Sequence, residues 1–236
     1  MAHKANVLLI SEDICPFSMT AKMALTEKGV SYEVQEEPLP NKSELLLKAN
    51  PVLKKVPALI HDSKSVAESL VILEYIEEEW PPSHILPRRT ALLPKDTHDR
   101  ATARFWAHYG NRYFWETALK VVKTHGEEQR QMKEETMEMY MTVDSEMAKL
   151  SHGKPFFFGK HPTFPDLVFA PLVVWIPALE AVGGMKFPDA KLCPRITEWV
   201  NEIKDHPSVK SSVPDPLRVI EGAQALHERL LSHSYA

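Results

Sequence analysis

The sequence of 236 residues has only two cysteines, Cys15 and Cys193, which lie far apart in the chain. Two distant cysteines do not make a disulfide framework, and such sparse usage is typical of a reducing, cytoplasmic compartment. Although there are eleven histidines, HxxxH, HxH and CxxC spacings are absent from the sequence. The sequence therefore predicts no metal site.

Long apolar runs and an excess of basic charge are also lacking. No run reaches the length expected of a membrane span, and the short apolar run near the start is too short for a signal peptide. The net charge of −4 gives no reason to expect nucleic acid or an anionic membrane as a partner. With 44% hydrophobic and 25% charged residues, the composition is that of an ordinary globular chain.

Residues 1–82 alternate short apolar segments typical of strands with segments of helical spacing. The order predicts β-α-β-α-β-β-α, a mixed sheet covered by helices, and so an α+β domain. The expected strands are 6–10, 30–34, 56–60 and 65–67, and the expected helices are 16–28, 43–50 and 68–80.

A linker is predicted over 83–94, because the stretch WPPSHILPRRTALLP contains four prolines and no periodicity. Beyond it, strand signals disappear, and residues 95–236 predict an all-α domain. The expected helices are 95–122, 127–150, 163–184, 193–207 and 215–231. Thr163 and Asp166 have the spacing of a capping box before a nearly all-apolar helix, which we expect to be buried. Phe105 and Trp106 have the character of core residues.

Cys15 stands immediately before Pro16, at the start of the first expected helix. Proline is favoured at the first helical position, so Cys15 is expected at the N-cap. There its sulfur would face free backbone N–H groups and the positive end of the helix dipole, which lowers a thiol pKa. The alternative is an inert, buried cysteine. Because a strand-to-helix corner is a poor place for a core residue, the sequence favours a reactive thiolate.

Three motifs carry a resemblance to a known family: CPFS after a strand, VP opening a later strand and ES opening the third helix. Together with the stretch NPVLKKVPALIH, they resemble the thioredoxin-fold glutathione transferases, most closely the plant tau class. The resemblance covers essentially the whole chain. It implies a thioredoxin-like first domain, an all-helical second domain, glutathione as co-substrate without a metal, and a homodimer.

The resemblance implies a glutathione cradle formed by Lys42, Lys55, Val56, Pro57, Glu68 and Ser69. A cis bond before Pro57 would turn the backbone of Val56 toward the ligand, which could pair with it like an added strand. Glu68 and Ser69, at the start of the third helix, would hold the γ-glutamyl end. The two lysines would meet the glycyl carboxylate; without the resemblance they are equally consistent with solvated surface residues.

The sequence departs from the tau class at Cys15, where tau enzymes carry serine and the omega, lambda and dehydroascorbate-reductase branches carry cysteine. A thiolate there would repel the glutathione thiolate and suits attack on a disulfide. The leading hypothesis is therefore thiol transfer, deglutathionylation or dehydroascorbate reduction through a Cys15 mixed disulfide. A second glutathione would resolve it, because no CxxC is present. Ser18 is a weaker alternative as a hydroxyl donor to glutathione, and Cys193 is expected to be structural.

The second substrate site, by the same resemblance, lies between the domains and is formed by Phe17, Leu39, Tyr109, Tyr113 and Trp175. Aromatic side chains with polar tips suit large, flat compounds. Trp175 is equally consistent with core packing. Two further hypotheses stay open: tau-like conjugation of glutathione to electrophilic xenobiotics, and a non-catalytic ligand carrier.

Overall fold

The computed structural model describes residues 6–38, 41–83 and 90–234. The chain forms two compact units, 1–93 and 94–236. The strands of the first unit are β1 Val7–Ser11, β2 Glu33–Glu36, β3 Ala58–His61 and β4 Lys64–Ala67. Its helices are α1 Pro16–Glu27, α2 Glu44–Ala49 and α3 Ser69–Glu79.

The four strands form one mixed sheet in the order β2-β1-β3-β4. Strand β1 pairs in parallel with β2 and antiparallel with β3, and β3 pairs antiparallel with β4. Strand β1 is central and almost wholly buried, and its Ile10 packs in a cluster with Leu46, Ala49 and Ala58. The predicted thioredoxin-like α+β architecture of the first domain is confirmed.

A buried ion pair fixes the end of the first unit. Lys28, at the end of α1, is fully buried and pairs with Glu77 of α3. The Lys28 Nζ donates to the carbonyl of Thr90 over 2.8 Å, and the Leu92 amide donates to Glu77 over 3.1 Å. The sequence predicts a separate linker over 83–94, but 90–93 belong to the first unit because these contacts hold them there.

The second unit is helical. Its elements are α4 Thr97–His108, a π-turn Tyr109–Phe114, α5 Trp115–Lys123, α6 Gly126–Leu150, α7 Phe164–Phe169, α8 Leu172–Ala181, α9 Pro194–Ile203, α10 Pro207–Lys210 and α11 Pro216–Ser234. Among the described residues of the second unit, the only β-type pairing is an isolated bridge between Phe156 and Gly159. The all-α prediction is confirmed.

Two helices predicted as continuous are interrupted. The segment 95–122 contains the π-turn, and the segment 163–184 is divided between α7 and α8. The second break lies at Pro171, the N-cap of α8, whose ring nitrogen cannot donate to the preceding turn. The prediction that Phe105 is a core residue is also wrong, because its side chain is 58% exposed. Its neighbour Trp106 is buried as expected.

The segment Phe164–Ala181 needs a further correction. Its 18 residues have a mean hydropathy of 1.5, so by length and composition alone it could cross a membrane, contrary to the expectation that no such run exists. However, 72% of the segment is buried inside the protein, as in a core helix. The apolar surface is therefore used for packing within the second unit.

The head of this buried segment is closed by the predicted capping box. The fully buried Asp166 accepts hydrogen bonds from the Thr163 amide and hydroxyl at 2.8 and 2.7 Å. Its other oxygen accepts from the Phe157 amide at 3.1 Å and the Trp199 indole at 2.8 Å. Burial raises the pKa of Asp166 to about 6, although these hydrogen bonds favour the carboxylate.

Candidate active site

The register of the sheet brings three loop segments together at the same end of the strands. Ile10 near the end of β1 pairs with Ala58 at the start of β3, and Ala58 pairs with Ala67 at the end of β4. The chain that leaves β1 toward Cys15, the chain that enters β3 and the chain that leaves β4 therefore meet at the same end of the sheet. The predicted cradle residues of these three segments lie there because of backbone pairing alone.

Cys15 is the N-cap of α1, as predicted, with Pro16 at the first helical position. Its carbonyl accepts the amides of Ser18 and Met19, at 3.1 and 3.0 Å, which begins the helix. The side chain makes no capping hydrogen bond. The residue as a whole is half-buried.

The expected low pKa of Cys15 is wrong. Burial of the sulfur raises the pKa of the thiol, and the negative charge of Glu12 adds to this. The Ser18 hydroxyl and the Ser18 and Phe17 amides, which lie near the sulfur, favour the thiolate, but they do not offset the loss of hydration. The raised pKa of Cys15 favours the neutral thiol, whose S–H can donate a hydrogen bond.

Ser18 does not face solvent. It is fully buried, its hydroxyl lies against the Cys15 sulfur, and it accepts the Glu12 amide over 3.4 Å. These contacts bridge the β1–α1 loop to the first turn of the helix. Ser18 thus supports Cys15, and the structure gives it no position from which to replace Cys15 as donor to a ligand.

The Val56–Pro57 peptide bond is cis, as predicted. Val56 is half-buried and Pro57 is buried. The loop before them is held by Asn50, which donates to the Lys55 carbonyl over 3.0 Å and accepts the Leu53 amide over 3.2 Å. The sequence analysis missed Asn50, whose signal was its place at the end of α2, immediately before a proline.

Glu68 is the N-cap of α3, and Ser69 is its first residue, so both open the helix as expected. Glu68 has φ of 75°, a left-handed backbone that costs a side-chain-bearing residue on the order of 1 to 3 kcal/mol. It makes no side-chain cap and is exposed, whereas Ser69 is buried. The side chain of Glu68 therefore does not close the start of α3.

Lys42 and Lys55 are both exposed. Lys42 precedes Ser43, whose amide and hydroxyl donate to the buried carboxylate of Glu37 over 2.6 and 2.7 Å. Glu37 therefore fixes the residue next to Lys42. It is a second supporting residue that the sequence analysis missed, because one more glutamate directly after Glu36 carries no distinctive pattern.

In the second unit, the structure brings Tyr109 and Tyr113 together with Phe105. Ring centroids of Phe105 and Tyr109 are 6.5 Å apart, and those of Tyr109 and Tyr113 are 6.0 Å apart. Burial raises the pKa of Tyr109, whose hydroxyl is hydrogen-bonded to Thr142 of α6. We call Phe105, Tyr109 and Tyr113 the aromatic row.

The other predicted substrate residues are placed differently. Trp175 is 2% exposed, and its ring packs 6.2 Å from that of Trp115, so the structure supports the core-packing alternative. Phe17 is half-buried in the first turn of α1. Leu39 lies outside the described residues.

Asp96, His98 and Asp99 form a group of exposed side chains close enough to share an ion. Helix capping accounts for the position of Asp96, which accepts the amides of His98 and Asp99 at 2.9 and 3.0 Å. An exposed acidic group at a helix start is common without a metal, and we assign none here.

Comparison with known proteins identifies the arrangement. The model of the glutathione S-transferase N-terminal domain matches residues 13–78, and that of the C-terminal domain matches residues 112–211. Glutathione S-transferase U7 of Arabidopsis thaliana is 36% identical over 98% of each chain. The chain belongs to the glutathione S-transferase family.

Solved structures of this family place the similarity within the plant tau class. The tau-class glutathione S-transferase of mango, Mangifera indica, is 35% identical, with a TM-score of 0.85 over 94% of this chain and 98% of that one. A rice glutathione S-transferase in complex with glutathione is 31% identical, with a TM-score of 0.84 over 97% and 99% of the two chains. The predicted resemblance to the tau class is confirmed.

Proposed function

We propose that this glutathione S-transferase conjugates glutathione to electrophilic compounds, with Cys15 as hydrogen-bond donor to the glutathione thiolate. The observation that carries the proposal is the sheet register, which collects the head of α1, the cis-Val56 carbonyl and amide, and the head of α3 at one edge. Tau-class similarity supports conjugation over the thiol transfer that the sequence alone favours.

Each part of the cradle has a distinct task. The main-chain groups of Val56 pair with the cysteinyl backbone of glutathione, and the head of α3 holds its γ-glutamyl carboxylate. The exposed lysines, Lys42 and Lys55, attract the glycyl carboxylate. These contacts orient the tripeptide with its sulfur toward the N-cap of α1.

The neutral Cys15 thiol then acts on the bound sulfur. Glutathione loses its thiol proton to water, and the Cys15 S–H donates to the resulting thiolate. The thiolate attacks the electrophilic carbon; with 1-chloro-2,4-dinitrobenzene, a sulfur–carbon bond forms and chloride leaves. Because the pKa of Cys15 is raised by burial, the two sulfurs do not carry like charges at neutral pH.

Thiol transfer is the second candidate, and the specific observation in its favour is the uncapped cysteine side chain at the head of α1. In that reaction the Cys15 thiolate attacks a glutathione mixed disulfide and releases the substrate thiolate. A second glutathione thiolate then attacks the Cys15 mixed disulfide, which releases oxidised glutathione and regenerates Cys15. The raised pKa of Cys15 makes the first step slow near pH 7.

The two candidates are separated by wild type, Cys15→Ser and Cys15→Ala in two assays. With 1-chloro-2,4-dinitrobenzene, we expect Cys15→Ser to conjugate, because a hydroxyl also donates, and Cys15→Ala to lose on the order of 100-fold in kcat. With 2-hydroxyethyl disulfide, both variants should lose whatever thiol transfer wild type shows.

The proposal fails if wild type reduces 2-hydroxyethyl disulfide rapidly and conjugates no faster than the uncatalysed rate. It also fails if Cys15→Ala conjugates as fast as wild type. Tight binding of flat apolar ligands with no turnover in either assay would point to the carrier hypothesis.

We further propose a cytoplasmic homodimer. The sparse cysteines support a reducing compartment, and the family resemblance is the basis for the dimer. Sedimentation equilibrium at micromolar concentration and fractionation of the source tissue test the two statements separately.

A further inference from the structure

The second unit contains a cleft between the loop that follows α6 and one face of α9. Its volume is about 250 Å³, which is below the usual range for a drug-sized ligand, so the cleft suits a smaller molecule. The residues that line it carry both signs of charge: Gly153, Lys154, Pro155, Arg195, Glu198 and Glu202. None of them belongs to the proposed glutathione site, so the cleft can be considered independently of conjugation.

Arg195 is held firmly in the wall of this cleft. Its side chain is only 11% exposed. Its Nη2 donates to the carbonyls of Lys154 and Pro155 at 2.8 and 2.5 Å, and its Nε donates to the Ser151 hydroxyl at 3.4 Å. Because the guanidinium is planar, these three hydrogen bonds fix its orientation as well as joining the loop to α9.

The third nitrogen of this guanidinium donates no hydrogen bond to a described residue. Arg195 Nη1 lies 3.8 Å from Glu198 Oε2, which is close enough for an ion pair but too long for a hydrogen bond. It is not enclosed by protein either, because Ser11 Oγ is the only enclosed side-chain atom without a partner in the described part of the chain. The two N–H groups of Nη1 can therefore donate to a ligand in the cleft.

Two further charges of the cleft have no ion-pair partner among residues 6–38, 41–83 and 90–234. The Lys154 ammonium and the Glu202 carboxylate are both exposed, and they do not pair with each other although both line the cleft. Glu202 lies one turn beyond Glu198 on the same face of α9. The cleft thus has two cationic groups, one on the loop and one bound to it, and two carboxylates along α9.

We propose that this cleft binds a free α-amino acid. The ligand carboxylate accepts from Arg195 Nη1 and the Lys154 ammonium, and the ligand ammonium donates to the carboxylates of Glu198 and Glu202. A simple anion would be repelled by the two glutamates, and a simple cation by Lys154 and Arg195. Only a ligand with both charges satisfies both sets of groups.

The spacing within the cleft selects α-amino acids among such ligands. Because Arg195 Nη1 and Glu198 Oε2 are only 3.8 Å apart, the two charged groups of the ligand must also lie close together. In an α-amino acid they are bonded to the same carbon atom. In an ω-amino acid they stand at opposite ends of the molecule, and the extended chain cannot place both groups against this pair.

The first test compares two isomers that carry the same charges, L-2-aminobutyrate and 4-aminobutyrate. In a saturation-transfer NMR titration, we expect L-2-aminobutyrate to bind at least about tenfold more tightly. Butyrate and 2-aminobutane, which carry one charge each, should also bind at least about tenfold more weakly than L-2-aminobutyrate. Backbone amide shifts caused by L-2-aminobutyrate should be largest in residues 151–155 and 195–202.

The second test removes one charge from each wall of the cleft. Lys154→Gln and Glu202→Gln should each weaken binding of L-2-aminobutyrate about threefold, a typical effect of an exposed charge pair. On butyrate the two variants should act in opposite directions: Lys154→Gln weakens binding, and Glu202→Gln strengthens it. Lys191→Gln and Glu221→Gln are the matched controls, because both residues are exposed charges of the second unit outside the cleft. Both controls should keep the wild-type affinity.

Arg195→Lys tests the fixed guanidinium, because lysine keeps the charge but lacks the planar fork. It should weaken binding of L-2-aminobutyrate at least about tenfold, and if this variant fails to fold, the two exposed variants still decide. Equal affinities for the two isomers, or no saturable binding, overturn the proposal. Unchanged affinity in both Lys154→Gln and Glu202→Gln, or an equal loss in the controls, also overturns it. None of these measurements requires conjugation, so the result holds whether or not the proposed function does.

Discussion

Two helix starts of the first unit and three of the second are built differently. In the first unit, the N-cap side chains of α1 and α3, Cys15 and Glu68, make no capping hydrogen bond. In the second unit, carboxylates close the starts of α4, α7 and α9, through Asp96, Asp166 and Asp144. Helix α2 of the first unit is an exception, because the side chain of Ser43 caps its start.

At a closed helix start, a protein group already accepts the first backbone amides. At an open start, no side chain caps them, and they can donate to an anion. The dipeptide Cys-Pro shows this well, because it begins both α1 and α9. At α9, Asp144 accepts the Ile196 amide over 2.8 Å, and Cys193 is fully buried. Burial, with Asp144 and Asp189 nearby, raises the pKa of Cys193 to about 11. Whether a site can form at such a helix start therefore depends on the protein groups that contact it, and not on the Cys-Pro dipeptide.

Opening a closed start in the second unit should have the largest effect. Asp166→Ala leaves the buried amides of Phe157 and Thr163 and the indole of Trp199 without an acceptor, and we expect it to cost at least about 3 kcal/mol of unfolding free energy. Urea unfolding measures it. Asp96→Ala removes an exposed cap and should cost about 1 kcal/mol. Equal losses of unfolding free energy in the two variants would contradict a larger role for the buried carboxylate than for the exposed one.

The difference between the two Cys-Pro starts can be measured by alkylation. Iodoacetamide should modify Cys15 at least about 100-fold faster than Cys193 in the folded protein, because the residue Cys15 is partly exposed whereas Cys193 is fully buried. Peptide mass spectrometry after timed quenching gives both rates in one sample. After unfolding in urea the two rates should converge, which is the internal control. Comparable alkylation rates of Cys15 and Cys193 in the native protein would contradict the proposed difference between the two helix starts.

Most of the fold could be predicted from the sequence, because helical periodicity was strong in both units and strand-like segments were confined to the first. Local pattern also located Cys15 at the N-cap and the capping box at Thr163. The π-turn could not be predicted, since Gly110 within it packs closely against α7, which is far away in sequence. The break at Pro171 was available in principle, but the continuous apolar character of 163–184 obscured it.

The candidate site was predictable where the backbone determines it and not where packing does. The cis bond before Pro57 and the position of Glu68 follow motifs in the sequence. The pKa of Cys15 depends on how much water reaches its sulfur, which a helix-start pattern does not reveal. The prediction for Phe105 failed for the same reason: its apolar character suggested burial, but the side chain is 58% exposed.

The smallest effect concerns the proton on Cys15. Because its pKa is raised, the alkylation rate of Cys15 should rise about tenfold per pH unit through neutrality and level off only above the pKa of an ordinary cysteine. Glu12→Gln removes a negative charge that raises the pKa of Cys15, so its plateau should come at lower pH. Ser18→Ala removes a hydrogen bond to the thiolate, so its plateau should come at higher pH. Each variant is the control for the other, because the pH of the plateau should shift in opposite directions. A wild-type plateau already reached near pH 7 would instead mean a thiolate at the open start of α1, and it would return thiol transfer to first place.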